Sequence, residues 1–210
     1  MYIISFIFIF LSTTLIGKQT YVYEKETNGM KTQTKWVLED KDITGESKYT
    51  QTKLKNEHNL QTLFFSHSSK SNTHSISIRC QNNSIQIEKA TPSKVFYKSY
   101  RLGKYPWIQE FLFSLKPFIL SIENKVFFEI INPKNLDMHE MICKKIGHEK
   151  VKINEEEKDS LRAKVTLTGF KKMFWHADLW YDPNTGDLLM YKADEGPKTA
   201  LTTIRLISKS

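Results

Sequence analysis

The sequence predicts a mainly β protein: a curved antiparallel sheet, or unclosed β-barrel, with one short helix plugging its concave side. Three observations predict it. Residues 174 to 206 read as three antiparallel strands joined by two reversals. From Tyr21 onward, short β-type runs alternate with turn residues. A single segment, Tyr105 to Leu115, carries helical periodicity.

The runs follow in order. Tyr21-Val22-Tyr23 and Thr34 to Leu38 flank Asn28-Gly29, a dipeptide suited to the type I′ turn of a hairpin. Gly45 is read as the break between the next two runs. Leu60 to Ser66 and Ser75 to Cys80 come next, and Asn82-Asn83 turns the chain into Ile85-Gln86-Ile87-Glu88, which alternates apolar and polar. In the one exception, Pro106 is placed for a first helical turn. Trp107, Ile108, Phe111, Leu112 and Leu115 then share a helical face, and Pro117 ends the segment. So apolar a helix between strands belongs against the concave side of a curved sheet. Lys125 to Ile131, Met138 to Ile146, Glu149 to Ile153 and Ala163 to Gly169 resume the strand pattern, with Asn154 to Asp159 as an acidic loop tip.

In the closing stretch, Asp182-Pro183-Asn184-Thr185-Gly186 supplies a preset φ at Pro and a permissive φ at Gly, and Asp194-Glu195-Gly196-Pro197 makes the second reversal. Period two places Trp175, Ala177, Leu179 and Tyr181 on one face and Phe174, His176, Asp178 and Trp180 on the other. The first set is apolar and faces the interior. Phe174 and Trp180 are large for open solvent, so either a second layer covers them or they stack on the outer surface.

Tyr2 to Ile16 is almost wholly apolar, and the first charged side chain is Lys18. This has the length of a secretory h-region and is shorter than the roughly 20 residues of a bilayer-spanning helix. Residues 1–17 are thus a signal peptide or an uncleaved N-terminal anchor, and residues 18–210 a single β-rich domain. The expected location is outside the cytosol, in the periplasm or cell envelope. The net charge of +8 is spread along the chain, which suits solubility and contact with anionic headgroups. No basic cluster is interleaved with aromatics, so nucleic acid is not an expected partner. Cys80 and Cys143 are the only cysteines, and they either pair or remain buried thiols; their spacing fits no metal or redox motif.

The polar constellations are weak. His139 and Cys143 are i and i+4 on a strand-like run, too far apart to chelate one ion together, so no metal is expected. His58, His67 and His74 lie in polar stretches. His176 and Asp178 share a strand face about 7 Å apart, too far for direct proton transfer. No nucleophile elbow, P-loop or dinucleotide fingerprint occurs. An enzyme is therefore not the expected reading and no cofactor is expected; a cell-envelope hydrolase or transferase using His176, Asp178 or His139 is the minority alternative.

The second half resembles a known group. Pro106-Trp107, Phe118-Ile119-Leu120-Ser121, Phe127-Phe128 before Pro133, Glu149 with Asn154, Ala163-Lys164-Val165, Gly169, Trp175, Trp180, Gly186, Tyr191 and Gly196-Pro197 resemble uncharacterised exported bacterial β-proteins. That group shares the periplasmic lipoprotein-carrier (LolA/LolB-like) fold. The similarity spans residues 105 to 206. It implies an unclosed barrel with a helix in its hollow and an apolar cavity able to take acyl chains. No lipoprotein-handling residue maps onto this chain, and a fold transfers without its function.

Trp107, Phe111, Leu115, Trp175 and Trp180 are the candidate ligand-binding residues. On the residues alone they fill a core between helix and sheet; the resemblance is what turns them toward a cavity. The leading functional expectation is a non-enzymatic envelope protein that binds a lipid, an acyl chain or a lipidated polypeptide, with peripheral membrane contact. The alternative is a structural or protein-interaction module with a fully packed core, meeting its partner through Phe174 and Trp180.

Overall fold

The computed structural model describes residues 17–57, 60–170, 175–194 and 199–210. Among them fourteen strands form one antiparallel sheet. The first eight are β1 (Gln19–Thr27), β2 (Met30–Glu39), β3 (Asp42–Ser47), β4 (Thr50–Asn56), β5 (Thr62–Ser69), β6 (Ser75–Gln81), β7 (Ser84–Ala90) and β8 (Val95–Arg101). Two short helices follow, α1 (Phe111–Ser114) and α2 (Lys116–Leu120). The rest are β9 (Lys125–Ile131), β10 (Met138–Ile153), β11 (Glu156–Leu167), β12 (His176–Tyr181), β13 (Leu188–Asp194) and β14 (Leu201–Lys209).

The order β8 to β1, then β14 to β9, joins two meanders through the β1–β14 pair and leaves β8 and β9 as the two edges. The barrel does not close through backbone pairing. Side chains cross the seam: Lys98 meets Asp137 at 2.9 Å, the Tyr100 hydroxyl donates to the Leu136 carbonyl, and Lys89 donates to the Pro133 and Lys134 carbonyls. These contacts tie β8 to the β9–β10 turn, while Pro106 to Ile108 pair through their backbone with Glu129 of β9, so each edge is partly covered against pairing with other chains.

Turn chemistry explains the strand boundaries. Asn28 and Gly29 both take positive φ, as do Asn82 and Asn83, and each pair sits in a two-residue hairpin loop. The Asp182 carboxylate accepts from the Asn184 and Thr185 amides, and Gly186 closes that turn at φ 70°. Of the second reversal, residues 195–198 lie outside the described residues, as do His58 and Phe174.

Four local expectations are corrected. Gly45 lies inside β3, where its missing Cβ makes room for the Trp36 ring; a methyl there would stand 2.6 Å from Trp36 Cε3. The helix begins at Phe111, not Pro106. The Trp107 amide donates to Gln61 Oε1, the Trp107 carbonyl accepts from the Thr62 amide, and the Ile108 amide donates to the Glu129 carbonyl. These remote partners hold Pro106 to Ile108 extended beside β9. Pro117 opens α2 instead of ending a helix, because the first helical turn needs no donor from it. Finally, Met138–Ile153 is one strand with a bulge at Gly147, and the acidic tip shrinks to a turn at Asn154-Glu155.

The helical segment sits in the hollow of the sheet. Leu112, Phe113, Leu115, Phe118 and Ile119 are buried in one cluster with Tyr21, Tyr23, Trp36, Leu54, Ile78, Ile87, Phe128, Cys143 and Leu179, which come from strands all around the curve. Phe113 lies against the Tyr21 and Trp36 rings at 5.3 and 5.5 Å. The Tyr181 hydroxyl donates to the Phe111 carbonyl and fixes where the segment starts. Cys80 and Cys143 are buried free thiols, and burial pushes Cys143 up to about 12, far from a reactive thiolate.

The outer face carries a second layer. Beyond the Gly147 bulge, the β10–β11 hairpin bends over the sheet and packs Val151 and Ile153 on Trp180, Leu189 and Met190. Trp180 Nε1 donates to Glu149, and Asn154 reaches the Ile207 carbonyl.

Candidate functional site

The ten residues from Phe111 to Leu120, nine of them helical, rise at most about 15 Å, whereas seven to ten strand residues span roughly 23–34 Å. A plug of that size leaves space on either side. Toward one end of the barrel lies a cavity of about 540 Å³, within the range of small-molecule sites. Its floor is Phe111 and Leu112. Ile131, Met141, Leu167 and Ile204 contribute aliphatic wall from four different strands, and Trp175 leads into β12 at its side. Ala193 and Thr202 hold the wall back, since small side chains there keep the space open. Toward the other end, a cleft of about 420 Å³ runs between Leu38, Ile43 and the Phe113–Leu120 side of the plug.

Polar groups enter the larger cavity at few points. Lys25, Lys134, His139 and Asp194 line it from strand ends and the β9–β10 turn. Glu110 lies beside the floor, at the start of α1, where its Oε1 accepts from the Leu112 amide at 3.2 Å. Desolvation lifts this carboxyl to about 7, against the pull of the Leu112 and Phe111 amides. It is therefore partly protonated near neutrality, and a neutral carboxyl suits an otherwise apolar floor.

The plug is tied at its far end by a buried carboxylate. Asp187 accepts from Lys116 at 2.8 Å, Lys209 at 2.6 Å, the Tyr21 hydroxyl at 3.1 Å and the Thr185 hydroxyl at 2.9 Å. Burial works against its ionisation, but Lys116 and Lys209 prevail and hold it below the usual carboxylate range. Gly186 lets α2 approach this knot, because a Cβ there would stand 2.9 Å from Lys116 Cγ and 3.0 Å from Leu120 Cγ.

The five nominated residues separate into three places. Phe111 and Trp175 line the cavity. Trp107 and Leu115 are fully buried in the main core, where the Trp107 indole N–H donates to Gln109 Oε1 at 3.0 Å. Trp180 faces outward beneath the β10–β11 hairpin at 8% exposure, with Arg162 and Lys192 over its ring. The period-two reading of residues 175 to 181 placed these faces correctly. A contact through an open Trp180 surface would require that hairpin to move away.

Sequence reasoning missed Glu110, Met141, Leu167 and Ile204. The signal for Glu110 was present: it is a lone carboxylate in the run from Trp107 to Leu115. The aliphatic wall gave none, since any inward strand position looks alike whether it touches protein or a void. His176 and Asp178 approach to 3.7 Å, nearer than their strand spacing suggests, because both side chains lean together while Arg162 grips Asp178 at 2.9 Å. Among the described residues no group of three or more His, Cys, Asp or Glu is arranged to hold a metal ion. No helix among them is long and apolar enough to cross a membrane.

No family model matches the chain, and no curated protein does. Solved structures do resemble it. A β-barrel-like protein of a domain of unknown function (DUF1849) from Brucella abortus superposes with a TM-score of 0.58 at 7% identity, covering 92% of this chain and 97% of that one. The hypothetical lipoprotein YmcC from Escherichia coli gives 0.43 at 13% identity, covering 92% and 85%. A putative outer membrane lipoprotein-sorting protein domain from Vibrio parahaemolyticus gives 0.34 at 8%, with the same coverage. The first likeness establishes the class of fold, a curved sheet or open β-barrel.

Proposed function

We propose that this chain is an exported protein of the bacterial envelope that binds a lipid, an acyl chain or a lipid-modified polypeptide in the 540 Å³ cavity between its helical plug and its sheet. The observation that carries the reading is the space itself. A core that packs Trp107, Phe128 and Tyr181 without exposure leaves aliphatic walls unfilled a few residues away. Each methylene withdrawn from water into such a site contributes about 0.8 kcal/mol, so a modest chain supplies ample affinity. Phe111 and Trp175 contact the chain, while Trp107 and Leu115 hold the plug from behind. Lys25 and Lys134, from opposite sides of the curve, suit an anionic headgroup at the mouth. The apolar run from Tyr2 to Ile16 and the resemblance of residues 105 to 206 support the envelope location.

Native mass spectrometry of protein purified from its own compartment tests this. Copurifying lipid at stoichiometric level is the expected result. Empty protein that also fails to bind a fluorescent fatty acid overturns the proposal.

A further inference from the structure

The end of the barrel opposite the cavity mouth has its own exposed apolar patch. Ile122 is 95% exposed, Ile146 55% and Leu120 48%. Such values for three aliphatic side chains are notable because they adjoin. Lys145 donates its backbone amide to the Asn124 carbonyl and its ammonium to the Ser121 carbonyl, so the bulge bearing Ile146 lies alongside the turn bearing Ile122.

Charge accompanies this patch. Lys125 and Lys144 stand directly opposite each other on β9 and β10, both exposed, with Lys145 next in sequence and Glu123 the adjoining carboxylate. Like charges paired across strands disfavour the sheet unless something anionic lies over them. Neither Lys125 nor Lys144 has an ion-pair partner among the described residues.

Chain direction points the same way. Gln19, where β1 starts, lines the second cleft together with Leu120. Only Gly17 and Lys18 separate Gln19 from the apolar run ending at Ile16, a reach of about 10 Å at full extension. Whatever apolar phase receives that run therefore lies within about 10 Å of Gln19, at the end of the barrel that carries Leu120.

We infer that this end of the barrel docks on an anionic bilayer, with Leu120, Ile122 and Ile146 entering the interface, Lys125, Lys144 and Lys145 meeting headgroups, and the cavity mouth turned away from that membrane. The geometry is that of an interfacial contact, in which apolar side chains enter the headgroup boundary beside a basic rim. It does not depend on the cavity holding a ligand, so either reading can fail without the other. The mouth end exposes Leu201 and Phe170, which makes it the natural second arm of the test.

The full chain is reconstituted with vesicles of phosphatidylglycerol and phosphatidylethanolamine, carrying an environment-sensitive fluorophore at Ile122→Cys or at Leu201→Cys. Cys80 and Cys143 are buried and do not compete for the label. Nitroxide-bearing lipids should quench the probe at 122 several-fold more than the probe at 201. The combined Lys125→Glu, Lys144→Glu variant should reduce that quenching several-fold. Equal quenching at the two sites, stronger quenching at 201, or indifference to the lysine replacements overturns the inference.

Discussion

Replacing Glu110 with Gln isolates the electrostatic cost of placing a carboxyl beside the cavity floor. Glutamine keeps the acceptor for the Leu112 amide and removes only the titration. In the native protein the group is lifted from 4.5 to about 7, chiefly by desolvation. The folded state therefore holds its proton more tightly than the unfolded chain does. Stability from this group is whole below about pH 4.5, falls as pH rises toward about 7, and is flat above. At about 1.36 kcal/mol per unit, the loss across that window is about 3 kcal/mol. Urea unfolding of both proteins from pH 4.5 to pH 8 measures it. The Glu110→Gln variant should match the native protein at the acid end and exceed it by about 3 kcal/mol at pH 8, other titrations cancelling in the difference. Parallel curves across the range would refute the placement there of a carboxyl whose desolvation outweighs its two amide hydrogen bonds. A chain in the cavity strips further water from Glu110, so fatty acid affinity should weaken above pH 7 in the native protein and hold constant in the variant.

Three further outcomes follow from named contacts. Asp187→Asn leaves Lys116 and Lys209 without their carboxylate and should cost about 3 kcal/mol in chemical unfolding, at the low end for a broken buried pair because both lysines reach water. Its pH dependence runs opposite to that of Glu110: the stability Asp187 contributes is present above the ordinary carboxylate range and lost as pH falls through its depressed value, an acid limb the variant should lack. Trp180→Ala should lower stability by about 3 kcal/mol while leaving fatty acid binding intact, whereas Trp175→Ala should weaken binding with a smaller stability loss, each read by thermal melts and fluorescence titration. Ala193→Phe should fill the cavity and abolish binding while circular dichroism stays that of the native sheet.

What the sequence disclosed was local. Asn28-Gly29, Asn82-Asn83 and Asp182 to Gly186 announce their turns through φ requirements that few other residues meet, and the alternation through Ala177, Leu179 and Tyr181 fixes which face is buried. Pro106 misled because a proline fits a first helical turn and an extended lead-in equally well. What decided between them was hydrogen bonding to Gln61, Thr62 and Glu129, distant in the chain. Gly45 misled in the same way, since its reason is the Trp36 ring across the sheet. The folding-over of the β10–β11 hairpin was hidden because Val151 and Ile153 alternate like any half-buried strand, and only the Gly147 bulge turns that pattern onto Trp180. A void cannot be seen in residue types at all, so the plug was legible and the cavity it leaves was not.

The proposed binding mode places an apolar chain in the space above Phe111. Protein carrying ¹³C-labelled methyl groups, mixed with unlabelled palmitate, allows intermolecular nuclear Overhauser effects to be read directly. Contacts from the palmitate chain to Met141, Leu167 and Ile204 are the expected result. Contacts confined to Leu189 and Met190 on the outer face, or none at saturating palmitate, would contradict it.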